Sequence, residues 1–378
     1  MAEFSRTDVV ARAETVVIKV GTNVLADSTG TLDRARIQSL TEQLVRSRSG
    51  GRRVVLVSSG AIGAGVGRMG LGKRPTDLPH LQACAAVGQC ALMQAYQESL
   101  SPHGIHAAQI LLTASDFDNR VRYLNARHTI LTLFEYNCLP IINENDTVSV
   151  AEIKFGDNDH LAAMVANLLQ APLLILLTNV DGLHTGDPRQ DANAKLVETV
   201  PHIDKSVTEL AAATTSELGT GGMRSKLRAA RIATAAGSAV IMANGSTDGI
   251  LDAVFGGQTV GTLFLPHGEA LSARRRWLAF TARPRGALRL DEGAHRAVES
   301  SGRSLLPVGV VEITGTFGKG EVVSICNREG VEFARGLTNY SSADAERIRG
   351  LATEQILRVV GKVPYVELVH RDNLAVIG

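Results

Sequence analysis

The chain has 378 residues, which is enough for two domains of ordinary size. Hydrophobic residues make up 44% and charged residues 20%, and this balance excludes a mainly disordered chain. With 39 Lys and Arg against 38 Asp and Glu, the formal net charge is +1, which excludes a general nucleic-acid or membrane-surface binder. The four cysteines form no CxxC pair and the first residues carry no apolar signal-peptide core, so we expect a cytoplasmic protein with reduced thiols.

Up to about residue 265, short aliphatic runs alternate with longer amphipathic segments. Most of the runs are continuously apolar, as in strands of a parallel sheet that are buried on both faces. We predict strands at 15–20, 53–58, 105–112, 139–142, 173–177 and 238–242. Apolar residues at helical spacing predict helices at 33–47, 83–100, 123–136, 159–169 and 223–236.

The composition changes after Pro266. An arginine-rich segment with the only tryptophan predicts a linker at 267–283, followed by a small β-rich domain at 284–370. Within that domain, strands are predicted at 309–314, 321–325 and 331–336, separated by the turn signals GTFGKG and NREG. The predicted fold class is therefore α/β, with a mainly parallel sheet sandwiched by helices in residues 1–266 and the β-rich domain after it.

Two glycine patterns do not predict nucleotide-binding loops. GRMGLGK at 67–73 matches GxxxxGK, but Arg74 and Pro75 follow where a P-loop needs a hydroxyl residue and the start of a helix. GVGRMG at 65–70 lies several residues beyond the preceding strand, so we interpret it as a flexible glycine loop.

Four other segments follow predicted strands, where ligands bind in parallel sheets. In VIKVGTNVL, Lys19 lies within an apolar run and Gly21 follows, which indicates either an anion site or a lysine that reaches solvent from a strand end. VLVSSGAIGAG offers small residues with accessible amides, or forms a plain tight turn.

The other two segments add carboxylates and a second lysine. IINENDTV and KFGDNDHLAAMVA bring Asp146, Asp157, Asn158 and Asp159 into a short stretch, of which a helix cap explains one residue. ELGTGGMRSKLRAA places glycines before a helix with Lys226 in its first turn, as in an anion site or a simple glycine cap. Lysines, carboxylates and glycine amides together are the groups that phosphoryl transfer requires.

These motifs, in this order, resemble the amino-acid kinase family, and in particular its glutamate-phosphorylating members. The matching strings are VVIKVGTNVL, VSSGAIGAG, QACAAVGQ, GIHAAQILLT, RYLNAR, PIINENDTV, EIKFGDND, LLTNVDGL, TGGMRSKL and TVGTLF. In the C-terminal part, RSLLPVGV, ITGTFGKGEVVSICN and ARGLTNYSS are similar to a PUA domain. The resemblance covers nearly the whole chain.

The resemblance implies an ATP-dependent kinase that phosphorylates the γ-carboxylate of L-glutamate in the first step of proline biosynthesis. It implies ATP with Mg²⁺, inhibition by proline, a homo-oligomer and hand-off to glutamyl phosphate reductase. No membrane partner is expected, because the strongest apolar run, at 172–177, is too short to span a bilayer. Composition alone does not separate this activity from a kinase for aspartate, carbamate or an N-acyl glutamate. RNA binding by the PUA-like domain stays an alternative because of its arginines at 274–276, 283, 285 and 289, although stacking aromatics are few.

The resemblance also assigns the candidate site. Its catalytic residues are Lys19, Lys226, Asp157 and Asp159, where the lysines embrace the transferred phosphoryl group and Asp159 holds them in place. Its glutamate-binding residues are Ser59, Asp146 and Asn158. Its nucleotide-binding residues are Lys19, Thr178, Asn179, Thr220, Gly221, Gly222, Met223, Arg224, Ser225 and Lys226. Asn179 departs from the family, which often has Asp there, and no metal-ligating side chain is assigned.

Overall fold

The computed structural model describes residues 5–27, 30–48, 50–149, 158–188, 190–191, 193–212, 222–266, 273–360 and 366–377. The chain divides into two compact units, Met1–Glu269 and Ala270–Gly378. No helix in these ranges combines the length and the apolar character that a membrane crossing needs.

An eight-stranded sheet forms the centre of the first unit. Its strands are β1 (Thr15–Val20), β2 (Arg53–Ser58), β3 (His106–Leu112), β4 (Cys138–Glu144), β5 (Leu173–Thr178), β6 (Thr199–Val200), β7 (Ala239–Asn244) and β8 (Thr262–Phe264). They lie in the order β3-β4-β2-β1-β5-β7-β8-β6, and all neighbours are parallel except β7 and β8. The predicted mainly parallel sheet and its six strands are confirmed, with ends that shift by one or two residues.

Helices of the first unit connect these strands. They are α1 (Arg6–Ala11), α2 (Thr22–Leu25), α3 (Arg34–Arg48), α4 (Ala61–Arg68), α5 (Leu78–Leu100), α6 (Ala114–Asp118), α7 (Arg120–Glu135), α8 (Asn158–Leu169), α9 (Lys205–Ala212), α10 (Met223–Ala235) and α11 (Ile250–Phe255). All five predicted helices are present. The longest, α5, begins five residues earlier than predicted because Asp77 caps it and Pro79 fits its first turn.

The two faces of β1 meet different helices. Val16, Ile18 and Val20 belong to one buried cluster with apolar residues of α3 and α5. Because side chains alternate along a strand, Val17 and Lys19 project from the opposite face. There α8 packs against β1 and against α10. The alternation of β1 therefore directs the only charged side chain of the strand toward the first turns of α8 and α10.

The predicted flexible loop at residues 65–70 is wrong for its first four residues, which form the end of helix α4. The glycines of α4 and α5 let the two helix backbones touch. A Cβ on Gly65 would lie 1.9 Å from the carbonyl oxygen of Cys84, and a Cβ on Gly88 would lie 1.8 Å from that of Ala61. The glycine pattern thus reflects close helix packing rather than backbone mobility.

The second unit is built on a five-stranded sheet. Its strands are β9 (Gly286–Leu290), β10 (Val310–Gly315), β11 (Val322–Cys326), β12 (Glu332–Thr338) and β13 (Val369–Val376), in the order β10-β9-β11-β12-β13. Its helices are α12 (Ala273–Arg276), α13 (Glu292–Glu299), α14 (Ser342–Ile348) and α15 (Thr353–Val360). Neighbours are antiparallel except β9 and β11.

The boundaries of this unit differ from the predicted ones on both sides. Within the segment predicted as a linker, a π-helix at Trp277–Thr281 packs against β12 and β13, and Trp277 and Leu278 are buried. At the other end, β13 continues past residue 370. The prediction of a linker rested on the arginines of this segment. The apolar side chains between the arginines are buried, so the segment is part of the second unit.

Candidate active site

A buried carboxylate joins two buried lysines at the end of β1. Asp159 is the second residue of α8, and its Oδ1 lies 2.5 Å from the Nζ of Lys19. Its Oδ2 lies 3.1 Å from the Nζ of Lys226, in the first turn of α10. The exposed fractions are 2% for Asp159, 6% for Lys19 and 7% for Lys226. Three elements distant in sequence thus bring the two predicted lysines and the predicted aspartate together.

The charge of Asp159 depends on these lysines. Burial by itself would raise the pKa of this carboxyl group, but the ammonium groups of Lys19 and Lys226 outweigh burial and lower the pKa to about 2. Asp159 is therefore ionised throughout the neutral range. A carboxylate that binds a different ammonium with each oxygen fixes both in position, and such fixed cations suit an anionic ligand.

The first turn of α10 closes this side of the site. Gly222 precedes the helix with an extended backbone, and no described side chain caps its amides. The hydroxyl of Ser225 has one proton and faces two acceptors, the carbonyl oxygen of Gly222 at 2.9 Å and the Oδ2 of Asp159 at 3.1 Å, so Ser225 lies beside the carboxylate oxygen that binds Lys226. Met223 and Arg224 lie in the same turn, and Arg224 is exposed. The predicted residues Thr220 and Gly221 lie outside the described residues.

The second part of the site lies beside Asp159, where Asn158 reaches the end of β2. The two hydrogens of its amide Nδ2 face three acceptors, the backbone carbonyl of Ser58 at 3.2 Å, the hydroxyl oxygen of Ser59 at 2.9 Å and the Oδ1 of Asn143 at 2.9 Å. Ser59 is buried, and its backbone amide donates to the carbonyl of Val20. The predicted residues Ser59 and Asn158 are therefore in direct contact.

The third predicted acceptor residue, Asp146, lies in the turn that follows β4. Asn145 begins this turn, and its amide donates to the carbonyl of Leu112 at 2.9 Å, which ties the turn to β3 at the same edge of the sheet. Asp146 is half-buried there. Asp157, predicted from the same acidic segment, lies outside the described residues.

The predicted nucleotide residues Thr178 and Asn179 lie at the end of β5, the strand next to β1. Lys19 pairs in register with Leu176, so Thr178 follows two residues beyond the level of Lys19. Thr178 is buried, and its hydroxyl donates to the Oδ1 of the exposed Asn179 at 3.3 Å. Both residues thus lie at the edge of the sheet where the other groups gather.

Two polar residues of the site were not assigned from the sequence. Asn143, on β4, accepts from Asn158 and donates to Gln89 on α5 at 2.9 Å. Asn143 was visible as part of the carboxamide cluster in NENDTV, but nothing local indicated that its side chain is buried. Gln89 is the last residue of the matching string QACAAVGQ, but it sits in the middle of a long helix with no strand end nearby in sequence, so the string did not indicate a contact with the site.

The described arginines that raised the RNA alternative differ in their surroundings. Arg276 is buried and Arg289 pairs with Glu312, whereas Arg275, Arg283 and Arg285 are exposed. Glu312 neutralises part of the positive charge that an RNA backbone would require.

Comparison with known proteins gives matches for both units. The Amino acid kinase family profile matches residues 14–244 and the PUA domain profile matches residues 286–360. The chain is 46% identical over 368 residues to the glutamate 5-kinase of Moorella thermoacetica, covering 97% of each chain. It is 48% identical over 365 residues to the glutamate 5-kinase of Myxococcus xanthus, again covering 97% of each. A solved carbamate kinase from Giardia lamblia bound to AMP-PNP covers 68% of this chain and 100% of its own, at 19% identity and a TM-score of 0.48, too low to add to the argument.

Proposed function

The chain belongs to the amino acid kinase family and carries a PUA domain, and from this premise we propose that it is an ATP-dependent glutamate 5-kinase. It transfers the γ-phosphoryl group of ATP to the γ-carboxylate of L-glutamate and forms L-glutamyl 5-phosphate. The observation that carries this proposal is the carboxylate of Asp159, which holds the ammonium groups of Lys19 and Lys226 together at the end of the parallel sheet.

The reaction needs no general base. The γ-carboxylate of glutamate is ionised at neutral pH, so one of its oxygens attacks the γ-phosphorus directly. A new bond forms between that oxygen and phosphorus, the bond from phosphorus to the bridging oxygen breaks, and ADP leaves with the electron pair. Lys19 and Lys226 neutralise negative charge on the phosphoryl oxygens as they pass between donor and acceptor, and Asp159 keeps both lysines aligned.

Asn158, Ser59 and Asp146 bind the acceptor amino acid. Asn158 is adjacent in sequence to Asp159, so a ligand held by Asn158 lies beside the lysine pair. The carboxylate of Asp146, in the turn after β4, suits the α-ammonium group of glutamate.

The nucleotide lies over the C-terminal end of β5 and the N-terminal end of α10. The uncapped amides of the first turn of α10 bind phosphate oxygens, and Thr178 and Asn179 contact the rest of the nucleotide. Both oxygens of Asp159 contact lysines, and the described residues contain no group of three His, Cys, Asp or Glu side chains suited to a metal. Mg²⁺ bound to the phosphates of ATP would neutralise part of their charge.

The biological setting that we propose rests on the sequence resemblance. We place the enzyme at the first step of proline biosynthesis, in the cytoplasm, as a homo-oligomer that free proline inhibits. Its product is an acyl phosphate, and glutamyl phosphate reductase consumes it.

Acceptor specificity tests the proposal. The purified chain is incubated with ATP, Mg²⁺ and L-glutamate, L-aspartate or no acceptor, and ADP release is measured with hydroxylamine present to trap an acyl phosphate as the hydroxamate. We expect ADP and hydroxamate to form together with glutamate and to stay near background otherwise. Equal rates with aspartate, or ADP release without hydroxamate, would overturn the assignment.

A further inference from the structure

A line of four amide side chains runs away from the acceptor site into the first unit. Asn158 donates to the Oδ1 of Asn143 at 2.9 Å, and Asn143 donates to the Oε1 of Gln89 at 2.9 Å. Gln89 in turn donates to the Oε1 of Gln109, on β3, at 3.2 Å. The line thus joins α8, β4, α5 and β3 by three hydrogen bonds that all run in one direction.

Backbone groups at two points set that direction. The carbonyl of Ser58 can only accept, so the atom of Asn158 that faces it must be the Nδ2. The amide of Glu144 can only donate, and it donates to Asn143 at 2.9 Å, so the accepting atom is the Oδ1. The Nδ2 of Asn143 must then face Gln89, and Gln89 can satisfy it only with its Oε1.

Burial makes the inner members of this line sensitive to a lost partner. Asn143 is 2% exposed and Gln89 is 8% exposed, whereas Gln109 is on the surface. A buried amide donor without an acceptor is costly, because water cannot replace the missing partner. The Nδ2 of Asn143 has that acceptor in Gln89.

The consequence for Asn158 is that one atom of its amide is left for a ligand. Its Nδ2 is committed to the protein, as described above. Within the part of the chain that the structure covers, its Oδ1 accepts no hydrogen bond and is not one of the fully buried polar atoms. An amide oxygen held in this way accepts from a cation and does not favour a carboxylate.

We propose that Gln89 is a positioning residue for the acceptor amino acid. Through Asn143 it holds the amide of Asn158 so that the Oδ1 accepts from the α-ammonium group. This inference rests on the proposed function, because it takes the ligand of Asn158 to be an amino acid. It adds a residue that touches neither substrate but determines how firmly one of them is bound.

Two substitutions at Gln89 of nearly equal size test this. Gln89→Met removes the acceptor, leaves the Nδ2 of Asn143 unpaired and should raise the KM for glutamate about tenfold, with smaller changes in kcat and in the KM for ATP. Gln89→Glu keeps an acceptor oxygen toward Asn143 whether it is ionised or protonated, and Gln109 on the surface can turn to match, so this variant should recover most of the loss. Gln94→Met, on the exposed face of the same helix, is the control and should behave as the wild type.

A second pair of variants changes Gln109, the exposed member of the four amides. This pair tests the same inference if Gln89→Met does not fold. Gln109→Lys presents only donors to Gln89 and should raise the KM for glutamate about threefold, while Gln109→Glu keeps the acceptor and should not. The inference is overturned if Gln89→Met or Gln109→Lys leaves this KM unchanged, if Gln89→Glu is as impaired as Gln89→Met, or if the KM for ATP rises equally. A wild-type protein that does not phosphorylate glutamate would instead refute the proposed function.

Discussion

At the scale of single residues, the ion pair of Lys19 with Asp159 explains how a charged side chain is tolerated within a buried strand. Lys19 is 6% exposed, and its ammonium group is costly to bury unless a carboxylate pairs with it. Asp159 supplies that carboxylate and binds Lys226 as well. Removing any one of the three should therefore affect both catalysis and stability.

Replacement of either lysine should reduce turnover strongly. Lys19→Met and Lys226→Met keep most of the side-chain volume but remove a charge that the proposed mechanism directs at the transferred phosphoryl group, so we expect kcat to fall about a hundredfold or more. Glutamate-dependent ADP release measures the effect, and Lys205→Met is the control, because its side chain is 91% exposed. Turnover near that of the wild type in either variant would remove that lysine from the catalytic assignment.

Substitutions at Asp159 and at Asp146 should change different kinetic parameters. Asp159→Asn retains the shape of the side chain but no longer holds the lysines by charge, so it should mainly lower kcat. Asp146→Ala removes the proposed partner of the acceptor ammonium group and should mainly raise the KM for glutamate, by about tenfold or more. Steady-state kinetics with glutamate varied at saturating ATP distinguish the two, and the reverse pattern would exchange the roles.

At the scale of elements, the packing of α4 against α5 explains why a glycine-rich segment that the sequence pattern predicts as a loop forms a helix. Gly60 begins this region with a φ of 103°, a left-handed conformation that favours glycine, and α4 follows directly. The apolar spacing of α4 is short and glycines weaken a helix, so its local propensity predicts a loop. The contact with α5 stabilises the helix in spite of that propensity.

A methyl group at this contact should destabilise the first unit. In Gly88→Ala the new Cβ would lie 1.8 Å from the carbonyl oxygen of Ala61 and 2.3 Å from the amide nitrogen of Gly65, and neither backbone atom can rotate away. We expect the free energy of unfolding to fall by about 3 kcal/mol. Urea unfolding followed by circular dichroism measures this, with Gly72→Ala as the control because nothing lies within 4 Å of its new Cβ. Equal loss in both variants would contradict the packing argument.

At the scale of the whole molecule, we expect free proline to inhibit by competition with glutamate. The two share an α-carboxylate and an amino group, so residues that hold these groups in glutamate can hold them in proline, which has no γ-carboxylate to phosphorylate. Initial rates at several glutamate concentrations, with and without millimolar proline, should show inhibition that saturating glutamate relieves. Asp146→Ala should weaken both ligands in parallel, whereas inhibition that persists at saturating glutamate would place proline at a separate site.

The six longer strands of the first unit and five of its described helices could be predicted from the sequence, because most of these strands are apolar runs and these helices have an apolar stripe. The two short strands β6 and β8 and the shorter helices carry too few residues for such a pattern. These signals are local, because a strand that is buried on both faces of a parallel sheet consists of nearly continuous apolar residues. The second unit was less predictable, since Trp277 and its apolar neighbours lie among arginines that suggested a linker.

For the site, the sequence by itself determined which residue types stand at the ends of the strands, and therefore that lysines, carboxylates and amides would meet at one edge. Only the tertiary structure decided that Asp159 binds one lysine with each oxygen, and that Gln89 supports Asn158 through Asn143. The physical reason is that a buried hydrogen bond or ion pair depends on distances between elements far apart in the chain. Strand register and helix packing set those distances, and no local pattern of residues records them.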